Sequence, residues 1–544
     1  MGSLVFLVAF FTLTPVHDDY GSFISGMANG QFSDFSFIDL HYMGFIGVNR
    51  GYKLLYFLFP GYDWLGTASL FFSFVGLLLL LHSIRTVVLK NCPELFLVRV
   101  AQLLLALFYL ENVLVVSHTR FSLLFCGLAL VNLLFSETLK KRQLLFWSLF
   151  FLLGMLHRPE SSVGMLVLVS AGFLVYRFRP GFLLKRIWFP LLATTVLFSV
   201  ITVDRLQTDM YIRRVEPEIE YKLMDKRVVD ASEMKTPADS VKYEAALMGM
   251  WFDTQTLTPE YLRSILLPGV NLGGEHALQV LVHITGFYGR YPFIPVCVLF
   301  LAVLVGYRQE TRAAFRKLLL WQLVTFGILY GLDFNGLLVD GRHFLNLQLI
   351  SMLITLYYAA DAWARLTRLR GWVWAGGLLL LFLADGLTLT HYVATNRMVM
   401  QSVRCYESFM EETERTYNGR IVVLTLDNYN LLDHPFTFRE KKYTGNTYLM
   451  YDLFTFSLIP EYVAYLDRMC GCRASDPVAF YRWLASREAL YIAKPRRYNL
   501  TERYMRIIHG QKLAFVPDNR LADMPCTKIS HKKGFEVLKV TEIP

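Results

Sequence analysis

Two adjacent carboxylates, Asp18 and Asp19, follow His17 where the first apolar run of the chain ends. Neighbouring carboxylates beside a bilayer repel each other and are costly to desolvate, so such a pair is suited to hold a cation or to accept a proton from a reacting group. The bland alternative is a solvated loop flank. Further ionisable residues stand at the ends of other apolar runs: Glu111, His118 and Arg120; His157, Arg158 and Glu160; Asp333, Asp340, Arg342 and His343. Taken singly, each anchors a helix end or closes an internal ion pair. Taken together, they describe a cleft with carboxylates and fixed cations at one membrane depth. Such a cleft suits a substrate whose lipid tail lies in the bilayer and whose phosphate head sits at its surface. The planar fork of arginine clamps phosphate bidentately, which makes Arg158 and Arg342 the candidate clamps. A carboxylate near the acceptor then serves as general base while the lipid phosphate leaves.

The elements that must position these residues are membrane spans. Of 544 residues, 54% are hydrophobic and only 18% charged, and mean hydropathy is +0.39. A soluble globular chain carries about a quarter charged residues, so the solvent implied is a bilayer. Eleven spans are expected, near 2–16, 64–82, 95–116, 120–135, 143–156, 163–177, 187–204, 291–307, 317–332, 343–363 and 372–391. The first lacks a small-residue cleavage site and reads as a retained anchor. After every second span comes a basic connection: Arg85 and Lys90; Lys140, Lys141 and Arg142; Arg177, Arg179, Lys185 and Arg186; Arg308, Arg312, Arg316 and Lys317; Arg365, Arg368 and Arg370. The positive-inside rule assigns these to the cytoplasm and the N-terminus with them. The net charge of +10 is thereby a matter of topology, and a nucleic-acid partner is excluded.

The alternate connections face outward. Residues 17–63 and 205–290 are long outer loops, and within them Phe45 to Phe59 and Ala277 to Tyr288 have the composition of helices lying along the interface. Residues 1–391 read as the transmembrane module. Residues 392–544 read as a small extracytoplasmic α/β domain, with strands expected over Arg420 to Leu426, Ala489 to Ala493 and Lys512 to Val516, and helices over Asp476 to Glu488 and Thr501 to His509. No glycine-rich phosphate loop follows a strand there, so that domain is expected to shape substrate or structure rather than to catalyse. Four cysteines of the tail, Cys405, Cys470, Cys472 and Cys526, offer one or two disulfides. A zinc site at Cys470 and Cys472 is disfavoured because no second pair has ligand spacing.

The acidic doublet at the head of a long first outer loop resembles the GT-C class of membrane glycosyltransferases, which includes oligosaccharyltransferase catalytic subunits, protein O-mannosyltransferases and aminoarabinose transferases. Interface-lying helices in that loop, a second long loop after the seventh span and an extracytoplasmic tail extend the resemblance over nearly the whole chain. Locally, Asp18-Asp19-Tyr20, Ser25-Gly26, Tyr56, Pro60 and Trp64, His118-Thr119-Arg120, Arg158-Pro159-Glu160-Ser161 and Trp251-Phe252-Asp253 resemble a group of bacterial multispan proteins. What the resemblance implies is a GT-C-like polytopic α-helical fold in a bacterial inner membrane. It also implies a polyprenyl-phosphate sugar donor, inverting transfer to a glycan, lipid or protein acceptor, and in some members a divalent cation, Mg2+ or Mn2+, at the acidic motif. By carry-over, Asp18 or Asp19 is the base or the acceptor-orienting carboxylate, and the two are the candidate metal ligands; His17, His118, Arg120, Arg158, Glu160, Asp340 and Arg342 are the candidate substrate-binding residues. The second outer loop has no Asp-x-Asp, which leaves Asp209, Glu216, Glu218 and Asp253 as weaker metal candidates. Two alternatives stay open. One is an O-antigen ligase or polymerase, which takes a pyrophosphate-linked oligosaccharide. The other is a lipid-linked glycan flippase or transporter, for which internal repeats and midplane charges would be expected.

Overall fold

The computed structural model describes residues 16–17, 55, 58–59, 62, 64–90, 92, 95–116, 118–207, 228–248, 253, 255–266, 274–306, 311–334, 341–363, 371–417, 422–425, 434–435, 447–450, 467–468, 470–473, 476–493, 495–518, 520 and 536–542. The first expected span, save Val16, and the stretch from Phe45 to Phe59, save Leu55, Leu58 and Phe59, lie outside them.

Strand β1 (Val16–His17) opens the described chain. Helix α1 (Trp64–Ser83) runs on into a π-helical turn over Ile84–Val88. Then come α2 (Leu95–Tyr109), the single turn α3 (Glu111–Leu114), β2 (Val115–Val116) and α4 (His118–Phe135). Helices α5 (Lys141–His157), α6 (Pro159–Tyr176) and α7 (Pro180–Gln207) complete the first half. The segment between α7 and α11, expected as the second outer loop, carries α8 (Pro237–Leu247), α9 (Pro259–Ser264) and α10 (Gly274–Arg290). Helices α11 (Phe293–Gly306), α12 (Arg312–Phe334), α13 (Gly341–Trp363) and α14 (Gly371–Thr416) follow.

Each of the ten expected spans after the first overlaps one of these helices. Among the described residues six helical stretches are long and apolar enough to cross a membrane unaided, Leu70–Val88, Leu95–Leu114, Pro180–Ser199, Arg312–Phe334, His343–Ala360 and Trp374–Met398. Shorter α4 has another reason to exist. Every residue from Thr119 to Phe135 is buried, so this helix, enclosed on all sides, is the axis of the bundle rather than a lipid-facing span. Close packing around it depends on small residues: a Cβ added at Gly154 would meet the Cys126 backbone nitrogen at 3.0 Å, and one at Gly127 would meet Ile350 at 2.5 Å. The peripheral helices α7, α12 and α14 instead expose Leu192, Leu323 and Leu383, the apolar surface that a bilayer covers.

Helix α10 turns into α11 through a bend of 85°. It buries Val280, Ile284 and Phe287 and exposes Leu278 and Val282. A helix perpendicular to its spanning successor and apolar on two sides fits the interface-lying role expected for Ala277 to Tyr288.

Beyond α14 the described tail forms β3 (Val422–Thr425), β4 (His434–Pro435), β5 (Thr447–Met450), α15 (Pro477–Ser486), β6 (Leu490–Ala493), α16 (Pro495–His509), β7 (Leu513–Pro517) and β8 (Glu536–Glu542). Five of these strands make one mixed sheet in the order β5-β3-β6-β8-β7, with β3 parallel to both neighbours and β8 antiparallel to both of its own. Three of the five were expected. The additional strands β5 and β8 are short or charged, and only long-range pairing makes them strands. Asp476 caps α15 by accepting from the amides of Val478 and Ala479, with Pro477 in the first turn where no amide is required.

The tail's hydrophobic core also takes in Val241, Tyr243, Ala246, Leu257, Leu262 and Ile265 from the second outer loop. Arg497, 2% exposed, donates from Nη1 to the Met248 carbonyl at 2.7 Å, and Arg503 pairs with Glu244 at 3.1 Å. Helices α8 and α9 thus pack as part of the tail's core, and the residue 391/392 boundary expected from the sequence falls inside the unbroken helix α14.

Candidate active site at the polar end of the bundle

Local sequence sets the first corner of the site. Residues 157–159 are His-Arg-Pro. Proline disfavours helix at the residue before it and is tolerated at the first position of the next one. Helix α5 therefore stops at His157, α6 starts at Pro159, and Arg158 stands extended at the apex with φ −156°. From there its Nη1 donates to Thr119 Oγ1 at 2.6 Å, while its carbonyl accepts from Ser122 Oγ at 2.8 Å. The guanidinium is half-buried. Beside it the His157 ring is 1% exposed, set edge-on to Phe72 and Phe121, and neither ring nitrogen has a hydrogen-bond partner among the described residues.

The adjacent residue on α4, Arg120, is 3% exposed and forms an ion pair with Glu111 at 2.8 Å. Its other nitrogen reaches Asn112 Oδ1 at 3.5 Å, and the same oxygen accepts from Asn346 on α13 at 3.0 Å. The Asn112 carbonyl accepts from Ser73 on α1. Tyr291 and Tyr392 lie close enough to Glu111 and Arg120 to feel both charges. Four helices and the α3 turn are pinned at this point. Buried atoms there without a hydrogen-bond partner among the described residues include the acceptor Glu111 Oε2 and the donor Asn112 Nδ2.

The backbone brings the head of the first loop to the same end. Strand β1 pairs in parallel with β2, Val16 against Val115 and His17 against Val116, and pairs antiparallel with β4, His17 against His434. The residue immediately before the acidic doublet is thereby alongside the strand that leads into His118, Thr119 and Arg120. Asp18, Asp19 and Asp340 lie outside the described residues. His17, His118, Glu160 and Arg342 are placed by their backbones alone, in β1, α4, α6 and α13.

Asp333 is engaged elsewhere, accepting from His283 of α10 at 2.9 Å, so it ties α10 to the end of α12. Asp253, a metal candidate from the sequence, is also spoken for. It accepts from His509 Nε2 at 2.7 Å, Tyr504 at 2.9 Å and the Thr256 amide at 3.1 Å. Burial alone pushes its carboxyl up, but the bonds from His509, Thr256 and Tyr504 outweigh this and hold it at about 2. Among the described residues no group of three or more His, Cys, Asp or Glu is arranged to hold a metal ion. Asp209, Glu216 and Glu218 lie outside them. Cys470 and Cys472 bring their sulfurs to 2.8 Å across Gly471, whose φ of +63° closes a turn that favours glycine.

Sequence reasoning picked out Glu111, Arg120 and Arg158 because charge inside apolar runs is conspicuous. It missed Asn112, Asn346, Tyr291 and Tyr392, uncharged groups that become site residues only once α3, the α10–α11 bend, α13 and α14 meet.

Long apolar helices around an enclosed axis, with an amphipathic helix bent across one end, define a polytopic α-helical membrane protein. No family model matches the chain, and no curated protein matches it. Among solved structures it is similar to the crystal structure of ArnT from Cupriavidus metallidurans in the apo state, at 12% identity over 98% of this chain and 95% of that one, with a TM-score of 0.37.

Proposed function

We propose that this protein is a GT-C-class membrane glycosyltransferase that moves a sugar from a polyprenyl-phosphate donor to a glycan, lipid or protein acceptor at the polar end of its bundle. The observation that carries the proposal is the β1–β2 pairing, which sets the entry to Asp18 and Asp19 beside the helix corner bearing Thr119, Arg120 and Arg158. In the reaction the acceptor hydroxyl attacks the anomeric carbon and forms the new C–O bond. The bond from that carbon to the phosphate oxygen breaks, and its electron pair leaves with the polyprenyl phosphate. Asp18 or Asp19 takes the hydroxyl proton as general base, which pairs the two events in one inverting displacement. Arg158, half-buried and already oriented by Thr119, stabilises the charge growing on the leaving phosphate. Arg120 is held by Glu111 and acts by fixing the corner. The described residues offer no metal cage, so a divalent cation belongs to the proposal only through the side chains of Asp18 and Asp19.

Donor identity tests this reading. Purified protein should transfer label from a monophosphate-linked single sugar and ignore a pyrophosphate-linked oligosaccharide. The reverse preference identifies a ligase or polymerase, and movement of the lipid between leaflets of reconstituted vesicles without transfer identifies a flippase.

A further inference from the structure

At the end of the bundle opposite the proposed active site lies a cavity of about 360 Å³, and a second of about 220 Å³ shares Glu137, Tyr176, Arg177 and Tyr357 with it. Their cations come from three separate connections. Lys90 follows the π-helical turn after α1, Lys140 precedes α5, and Arg177 and Arg179 join α6 to α7. Four cations face one carboxylate. That carboxylate, Glu137, stands 3.6 Å from Lys90 and 3.9 Å from Arg177, with every partner about half exposed, beyond hydrogen-bond length and weak as ion pairs. The Arg177 guanidinium lies over the Tyr176 ring at 5.2 Å, and Tyr357 stands edge-on to the same ring at 5.0 Å.

Basic residues serve topology wherever they fall near the membrane, and that role requires neither a cavity nor an aromatic wall. Here cations from three connections converge on one polar space, loosely held by a single weak internal anion. The helices whose first turns line that space then turn apolar outward. Leu145 and Phe146 on α5, and Leu184 and Trp188 on α7, are exposed one to two turns further along. A polar, cationic cavity continuous with lipid-facing helix surface matches a molecule with an anionic head and acyl chains.

We propose that this cavity binds the phosphate headgroup of an anionic membrane lipid, with Lys90 and Arg177 as its principal ligands and Glu137 as the internal anion that the phosphate displaces. The charge asymmetry that assigns this end to the cytoplasm makes the inner leaflet its source. The inference is independent of whether glycosyl transfer occurs at the other end.

The test uses the full chain in an uncharged detergent, titrated with short-chain phosphatidylglycerol, short-chain phosphatidylcholine or inorganic phosphate, and reads the thermal unfolding midpoint. Phosphatidylglycerol should raise the midpoint, phosphatidylcholine should not, and inorganic phosphate should act only weakly. The Lys90→Gln/Arg177→Gln variant should bind phosphatidylglycerol about a hundredfold more weakly, roughly tenfold for each of the two lost charge-assisted contacts. Glu137→Gln removes the competing anion without removing a ligand and should tighten binding several-fold, on the order of 1 kcal/mol, and it keeps the proposal testable if the double variant does not fold. Equal shifts from phosphatidylglycerol and phosphatidylcholine, or weaker binding by Glu137→Gln, would overturn the site. An inorganic phosphate response equal to that of phosphatidylglycerol would overturn the lipid assignment and leave a free-phosphate pocket.

Discussion

Arg120 and Arg158 are neighbours in space with opposite assignments. Arg120 is buried against Glu111, and removing one partner of a buried pair leaves the other charge uncompensated. Arg120→Met should therefore cost roughly 3–5 kcal/mol of stability, and Glu111→Leu/Arg120→Met should recover most of it. If the double variant also recovers transfer, Arg120 is a positioning residue, and if it is stable but inactive, Arg120 binds substrate. Asp253 offers a second test, through pH. Its folded value of about 2 lies below its ordinary one, so its contribution is present above about pH 3.9 and is lost as pH falls through about 2. Hydrogen exchange of the 228–266 segment should rise over that acid window. Asp253→Asn should raise it already at neutral pH, a loss of roughly 2 kcal/mol, and should flatten the acid dependence. The charged members of both clusters were legible in the sequence, whereas their partners were not. Nothing local tells that Asp253 will meet His509 and Tyr504 more than 250 positions later.

Helices were the most legible elements, because a bilayer demands long apolar runs and the chain has room for little else. Their order of burial was not legible. Helices α4 and α7 are both apolar, yet α4 is enclosed and α7 faces lipid, a difference set by which small residues let neighbours approach. Gly154 on α5 is one of these. Gly154→Ala places a Cβ 2.9 Å from the Cys126 sulfur and 3.0 Å from its backbone nitrogen, so the α4–α5 contact must open, at a cost of about 1–3 kcal/mol. A thermal unfolding midpoint in detergent should fall accordingly, and an unchanged midpoint would show that the two helices pack less tightly than described. Helix α10 was legible from its composition, and the charge pattern, which a span there would have reversed, set it apart from the expected spans. Its anchor, the His283–Asp333 contact, joins residues fifty positions apart and was not.

Across the whole molecule, polar chemistry gathers at one end and cationic residues at the other. That polarity follows from sequence alone, since apolar runs alternate with basic and mixed connections. The union of the second outer loop with the tail does not, because it arises from one core shared by residues 241–266 and 480–540. The proposed enzyme works at the polar end, where β1 sets His17, the residue before the acidic doublet, beside the strand that leads into α4. The most direct measurement is the transfer rate of an Asp18→Asn/Asp19→Asn double variant, whose thermal unfolding matches the parent, with a labelled polyprenyl-phosphate sugar. The account predicts a fall of at least a hundredfold, on the order expected for loss of a general base. Transfer at the parental rate by the folded double variant would contradict it.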